Sequence, residues 1–75
     1  MAAPSRNEQR ITAHAEDHGW HVHNRDGLST TVEYRKRGGG YLRVGFGLNG
    51  HIRWAATASR PLTGTAAILN WLAAH

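Results

Sequence analysis

The sequence predicts an α+β domain of order α-β-β-β-β-α, a four-stranded antiparallel meander with both helices packed on one face of the sheet. Three observations predict it. Apolar residues recur with a helical period before Gly19 and after Gly64, and with a period of two between them. Short turn signals separate the alternating runs, namely Arg25-Asp26-Gly27, the glycine-rich 36–40 and Leu48-Asn49-Gly50. Turns this short join antiparallel neighbours, and an apolar sheet face requires cover from the two helices.

Each element has its own signal. Ser5-Arg6-Asn7-Glu8 reads as a capping box, with Ser5 at the N-cap and Glu8 three residues on. The helix it opens should run to about His18, where Gly19 supplies the left-handed position that ends it. Its apolar stripe is Ile11, His14, Ala15 and His18, so those two histidines lie toward the core. A first strand over 20–24 alternates, with Trp20 and Val22 inward and His21 and His23 outward. A second over 28–35 turns Leu28, Thr30, Val32 and Tyr34 inward, and a third over 41–47 turns Leu42, Val44 and Phe46 inward. A fourth over 51–57 places Ile52, Trp54 and Ala56 inward. Pro61 suits a helix start with Ser59 or Thr63 as cap, while Gly64 argues for a later start. The closing helix carries the stripe Leu62, Ala66, Leu69 and Leu72, widened by Ile68 and Trp71. Residues 1–75 form a single domain, with 1–4 expected to be flexible.

Composition narrows the function classes. The chain has no cysteine, which removes thiol catalysis, iron–sulfur clusters and thiolate zinc sites. It has no apolar run of membrane-spanning length and no signal-peptide core, so a cytoplasmic protein is expected. Net charge is +4, and eight of nine basic residues are arginine, an arginine bias that a GC-rich genome would also produce. The charge is compatible with nucleic acid, a membrane surface or an acidic protein.

Histidine is concentrated in "HAEDHGWHVH" (14–23), four in ten residues. The spacing divides them into a helical pair, His14 and His18, and a strand pair, His21 and His23, on opposite sides of the sheet. One ion cannot reach all four at about 2.1 Å. Either pair alone offers two ligands; the plainer reading makes His14 and His18 amphipathic fillers and His21 and His23 solvent-facing strand residues. No metal and no cofactor are expected, and metal should not be required for folding.

The solvent face of the predicted sheet is the candidate binding surface: His21, His23, Arg35, Tyr41, Arg43, His51 and Arg53. Its arginines suit phosphate or an acidic protein, and Tyr41 could stack a base, although sheet readers of single-stranded RNA use two or three aromatics. A polar face left in water is the alternative. "RKRGGG" (35–40) lacks the lysine-serine/threonine ending and following helix of a P-loop. The acids Glu8, Glu16, Asp17, Asp26 and Glu33 form no enclosed pair, and no nucleophile–base spacing is visible, so the expectation is a non-enzyme.

Two resemblances add to this. The capped helix ending in "HGW", the strands "VEYRK" and "LRVGFGLNGHIRWA" and the closing "ILNWLAAH" resemble small accessory proteins of actinobacterial phages, of the mycobacteriophage type. That resemblance implies a role in the bacterial host, often by binding a host protein, and assigns no residue. "HGW" followed by "RDGLST", and "PLTGTAAIL", are similar to HicA-type toxins, which have a double-stranded-RNA-binding-like fold. After Gly27 this chain reads Leu28, Ser29, Thr30, so that family's catalytic histidine has no counterpart here. The expected function is a non-catalytic binding module acting on a host protein, with a nucleic-acid-binding domain as the alternative. A homodimer is also expected, because the first and fourth strands would be sheet edges and neither contains proline or lysine.

Overall fold

A computed structural model describes residues 5–26 and 30–75. Helix α1 (Arg6–Asp17) leads into strands β1 (Trp20–Asp26), β2 (Thr31–Lys36), β3 (Gly40–Phe46), β4 (Ile52–Thr57) and β5 (Pro61–Leu62), and helix α2 (Thr65–Ala74) closes the chain. The strands form one antiparallel sheet in the order β1-β2-β3-β4-β5. It is therefore an α+β fold with a meander of four main strands, as the periodicity required, plus a short fifth.

Both ends of α1 follow the sequence signals. The Ser5 hydroxyl accepts the Glu8 N–H at 3.1 Å, and Gly19 takes φ 85° just beyond the C-cap His18. The Glu8 carboxylate does not fold back on the cap. It reaches across to β1 and accepts Arg25 Nε–H at 2.6 Å and Nη2–H at 3.2 Å. That pair ties α1 to the sheet, and the carboxylate raises the pKa of the Arg25 guanidinium.

The core gathers Ile11 and Ala15 of α1, Ile68 and Leu72 of α2, and one face of the sheet: Trp20, Val32, Tyr34, Leu42, Val44, Phe46 and Ala55. Both helices thus cover the same face and pack on each other. Trp20 spans sheet and helix. Its ring lies across Gly40, where a Cβ would come within 2.6 Å of Cη2, and its N–H donates to the Leu72 carbonyl at 3.1 Å. Tyr34 is fully buried with its hydroxyl 2.8 Å from that of Thr12, and burial pushes its pKa up to about 12.

The structure corrects several expectations. β1 runs through Arg25 and Asp26, which the sequence placed in a turn, and β2 begins only at Thr31. Thr30, expected inward on a strand, sits at φ 52° in the turn, where its hydroxyl donates to the Phe46 carbonyl. Val22 is on the core side but 37% exposed at the sheet margin. The largest difference is β4. Phe46 pairs with Ile52, but Gly45 pairs with Trp54, so Arg53 is an extra residue in the ladder. This bulge reverses the alternation beyond it. Ala55 and Thr57 turn to the core, and Trp54 and Ala56, expected inward, turn out.

Residues 61–62, assigned to the start of the last helix, form β5 against Ala55 and Ala56. Thr57 closes that hairpin: its N–H and hydroxyl both donate to the Arg60 carbonyl at 2.8 Å, and the hydroxyl accepts Arg60 N–H at 3.0 Å. Leu62 packs against the core from β5, α2 starts after Gly64, and Ala66 is exposed. The edge expected at β4 is therefore covered at Ala55 and Ala56, by a short strand whose Pro61 has no N–H to offer a further neighbour. Leu28, Ser29 and the expected flexibility of residues 1–4 lie outside the described residues.

Candidate binding face

The sheet face opposite the helices carries the candidate residues, and its layout follows from register. β2 and β3 supply two cross-strand pairs: Arg35 with Tyr41, and Glu33 with Arg43. Side chains directly opposite in an antiparallel pair share a face and touch. Glu33 is the hub. Its carboxylate accepts Arg35 Nε–H at 2.7 Å and Arg43 Nη2–H at 3.3 Å, and His23 Nε2 lies 4.0 Å away. The Arg35 guanidinium, then that of Arg43, holds the Glu33 pKa below the usual carboxylate range, so the group is ionised at neutral pH. The same guanidiniums flank Tyr41, with Arg35 4.8 Å and Arg43 5.9 Å from the ring centre.

Trp54 completes the face, and sequence alternation placed it in the core instead. Its indole lies across Gly45 so closely that any Cβ there would collide with the ring, yet 43% of the residue is exposed. The signal was available in retrospect. A glycine on the outward phase of a central strand leaves a slot, and an aromatic on the neighbouring strand fills it. Beside the ring is a concavity of about 270 Å3 lined by Asn24, Asp26, Thr31, Glu33, Arg43 and Trp54.

The remaining candidates are more peripheral. His21 faces Arg35 from β1, and His23 is the extra residue of a second bulge, between the pairs Val22–Tyr34 and Asn24–Glu33. Their rings are 6.3 Å apart, edge to face, and both are exposed. Arg53, the bulged residue of β4, extends its aliphatic stem past Gly47, 3.5 Å from where a Cβ would stand. His51 sits in the β3–β4 turn with its N–H on the Asn49 side-chain oxygen at 3.1 Å. The structure thus brings Arg35, Tyr41 and Arg43 together around Glu33, which the sequence also placed on the open face, and adds the unforeseen Trp54 beside Glu33 and Arg43. It sets His21 and His23 at one margin and leaves His51 in a turn at the end of the sheet.

His14 and His18 are on the helix side, with ring centres 4.5 Å apart. His14 Nε2 donates to the Leu69 carbonyl at 3.0 Å and His18 Nδ1 to the His14 carbonyl at 2.8 Å, so one nitrogen of each ring is committed to a backbone acceptor. Among the described residues, no three metal-ligating side chains of one chain converge. No described helix is long and apolar enough to cross a membrane. Comparison with known proteins finds no matching family model, no matching curated protein and no matching solved structure.

Proposed function

We propose that this protein is a non-catalytic binding module, a phage accessory protein that engages a host protein in the bacterial cytoplasm through the open face of its sheet. The observation that carries this reading is Trp54, laid over Gly45 and partly in water beside Arg43, with Tyr41 and Arg35 farther along the same face. Tryptophan, tyrosine and arginine are the residues that dominate binding energy at protein interfaces. The orientation of the two arginines is already fixed by Glu33, which lowers the entropy lost on docking. The same carboxylate offsets their charge at the centre of the face, which suits a protein better than a run of phosphates.

A second reading keeps one specific observation in its favour. With Trp54 outward, the face has two aromatics, the lower limit for a sheet that stacks single-stranded bases. Affinity capture from host lysate separates the two. A partner retained after nuclease treatment, and released by Trp54→Ala and by Arg43→Ala, supports the protein reading. Capture abolished by nuclease, with binding to single-stranded RNA that falls steeply with added salt, replaces it with the second.

A further inference from the structure

The backbone alternation of the sheet identifies what β1 presents on its outer side. In an antiparallel ladder, successive residues turn their N–H and C=O groups to opposite neighbours. Phe46 N–H bonds the Thr30 carbonyl at 2.9 Å, so Val32, Tyr34 and Lys36 turn to β3 and Thr31, Glu33 and Arg35 turn to β1. Their partners His21, Asn24 and Asp26 therefore turn inward to β2, and Trp20 and Val22 turn their backbone groups outward. Among the described residues no strand pairs with that side. β1 contains no lysine and no proline, and its guards, the bulge at His23 and the inward charge of Arg25, both lie beyond Trp20–Val22.

We propose that two copies of this chain pair antiparallel along β1 about a two-fold axis at Val22, and that the pairing assembles a four-histidine site for zinc or a similar divalent transition ion. The register follows from the outward backbone of Val22, which would exchange hydrogen bonds with Val22 of the second copy. The bulge turns Asn24 back to β2, so the pairing is confined to 21–23 and the ion supplies the rest of the association. His21 then stands opposite the second copy's His23, and His23 opposite its His21. All four imidazoles share the open face, because His21 is on that face by alternation and the bulge holds His23 there beside Glu33. Facing Cβ atoms in such a ladder are about 5 Å apart, which lets four rings converge on one ion at about 2.1 Å.

Three features favour a second copy over another occupant. Each chain supplies two of the four ligands a tetrahedral ion takes, and an identical chain supplies the other two. Val22 is 37% exposed at the floor of a groove of about 340 Å3 between α1 and β1, whose rim carries Glu8, Glu16 and Arg25 and whose exposed surface is mostly apolar, and the second Val22 would enter it. The Glu33 carboxylate, 4.0 Å from His23 Nε2, is positioned as the outer partner that orients a ligating imidazole. The dimer would join two sheets into one of ten strands, occupy His21 and His23 at the margin of the open face, and leave both Trp54 regions in solvent.

The test uses the untagged full chain, with zinc chloride or a chelator, in sedimentation and light scattering. Zinc should double the mass at a stoichiometry of one ion per two chains and should protect the Val22 amide from hydrogen exchange. His21→Ala and His23→Ala should each weaken zinc-linked association by at least about tenfold, with melting curves in chelator unchanged. His51→Ala should leave the response intact. The proposal is overturned by a mass that zinc does not change, by a zinc-linked dimer that survives both histidine variants, or by a dimer in which the Val22 amide stays unprotected.

Discussion

The two faces of the sheet hold the same chemical pieces and use them differently. Each has a tryptophan laid over a strand glycine, Trp20 over Gly40 and Trp54 over Gly45. Each has a carboxylate holding arginine, Glu8 with Arg25 and Glu33 with Arg35 and Arg43. On the helix side the tryptophan is 3% exposed, and its N–H is satisfied by a helix carbonyl. On the open side the tryptophan is 43% exposed, and about half of each guanidinium-bearing side chain is in water. The same contacts are structural where a helix layer excludes water and become presentable where none does.

Substitutions should therefore grade from severe on the helix side to slight on the open side. Trp20→Ala carries the largest effect, about 3–5 kcal/mol in chemical denaturation, because it empties the core and orphans the Leu72 carbonyl. A loss below about 1 kcal/mol would place Trp20 outside the core and erase the contrast. Glu8→Gln should follow at about 1–2 kcal/mol, since it removes the charge partner of Arg25 beneath α1.

Tyr34→Phe should cost about 1 kcal/mol by leaving the Thr12 hydroxyl without its partner. The parent protein should also show a pH signature at that position. Burial raises the folded pKa of Tyr34 to about 12, so its contribution is present below the unfolded value of about 10 and is lost as pH rises toward 12. In a tyrosinate absorbance titration, the late phase should vanish with Tyr34→Phe.

Glu33→Gln should cost under about 1 kcal/mol at neutral pH, because its partners are half in water. The folded pKa of Glu33 is depressed, so the difference from the parent should be full above about pH 4.3 and should shrink as pH falls below it. Melting temperatures compared across that range provide the check, and a difference that grows on acidification would reverse the sign of the interaction. Trp54→Ala should change stability least, by under about 1 kcal/mol, while it removes partner binding. If it unfolded the domain instead, the open face would be a second core face awaiting cover.

The sequence by itself determined the class, the order of the main elements and the inward residues of β2 and β3. Central strands with both neighbours in place keep strict alternation, so Val32, Tyr34, Leu42, Val44 and Phe46 were legible from period alone. The α1 cap was legible too, because Ser5 and Gly19 act within a few residues of themselves. Most of the candidate face could also be read, since Arg35, Tyr41 and Arg43 share those regular strands.

The tertiary structure decided what depended on neighbours distant in sequence. Either alanine of the Ala55-Ala56 pair could face inward, and only pairing with β3 chose Ala55 and placed the Arg53 bulge that turned Trp54 outward. A bulge leaves no mark in composition, because its cause is the misfit between two strands and not a property of one. The choice of Arg25 over the N-cap as partner for Glu8 required the sheet to bring residues 17 apart in sequence within 2.6 Å. The two margins were separated in the same way. The Thr57–Arg60 hairpin sets Pro61 beside Ala56, which covers β4 at Ala55 and Ala56, while among the described residues no strand pairs with the outer side of β1.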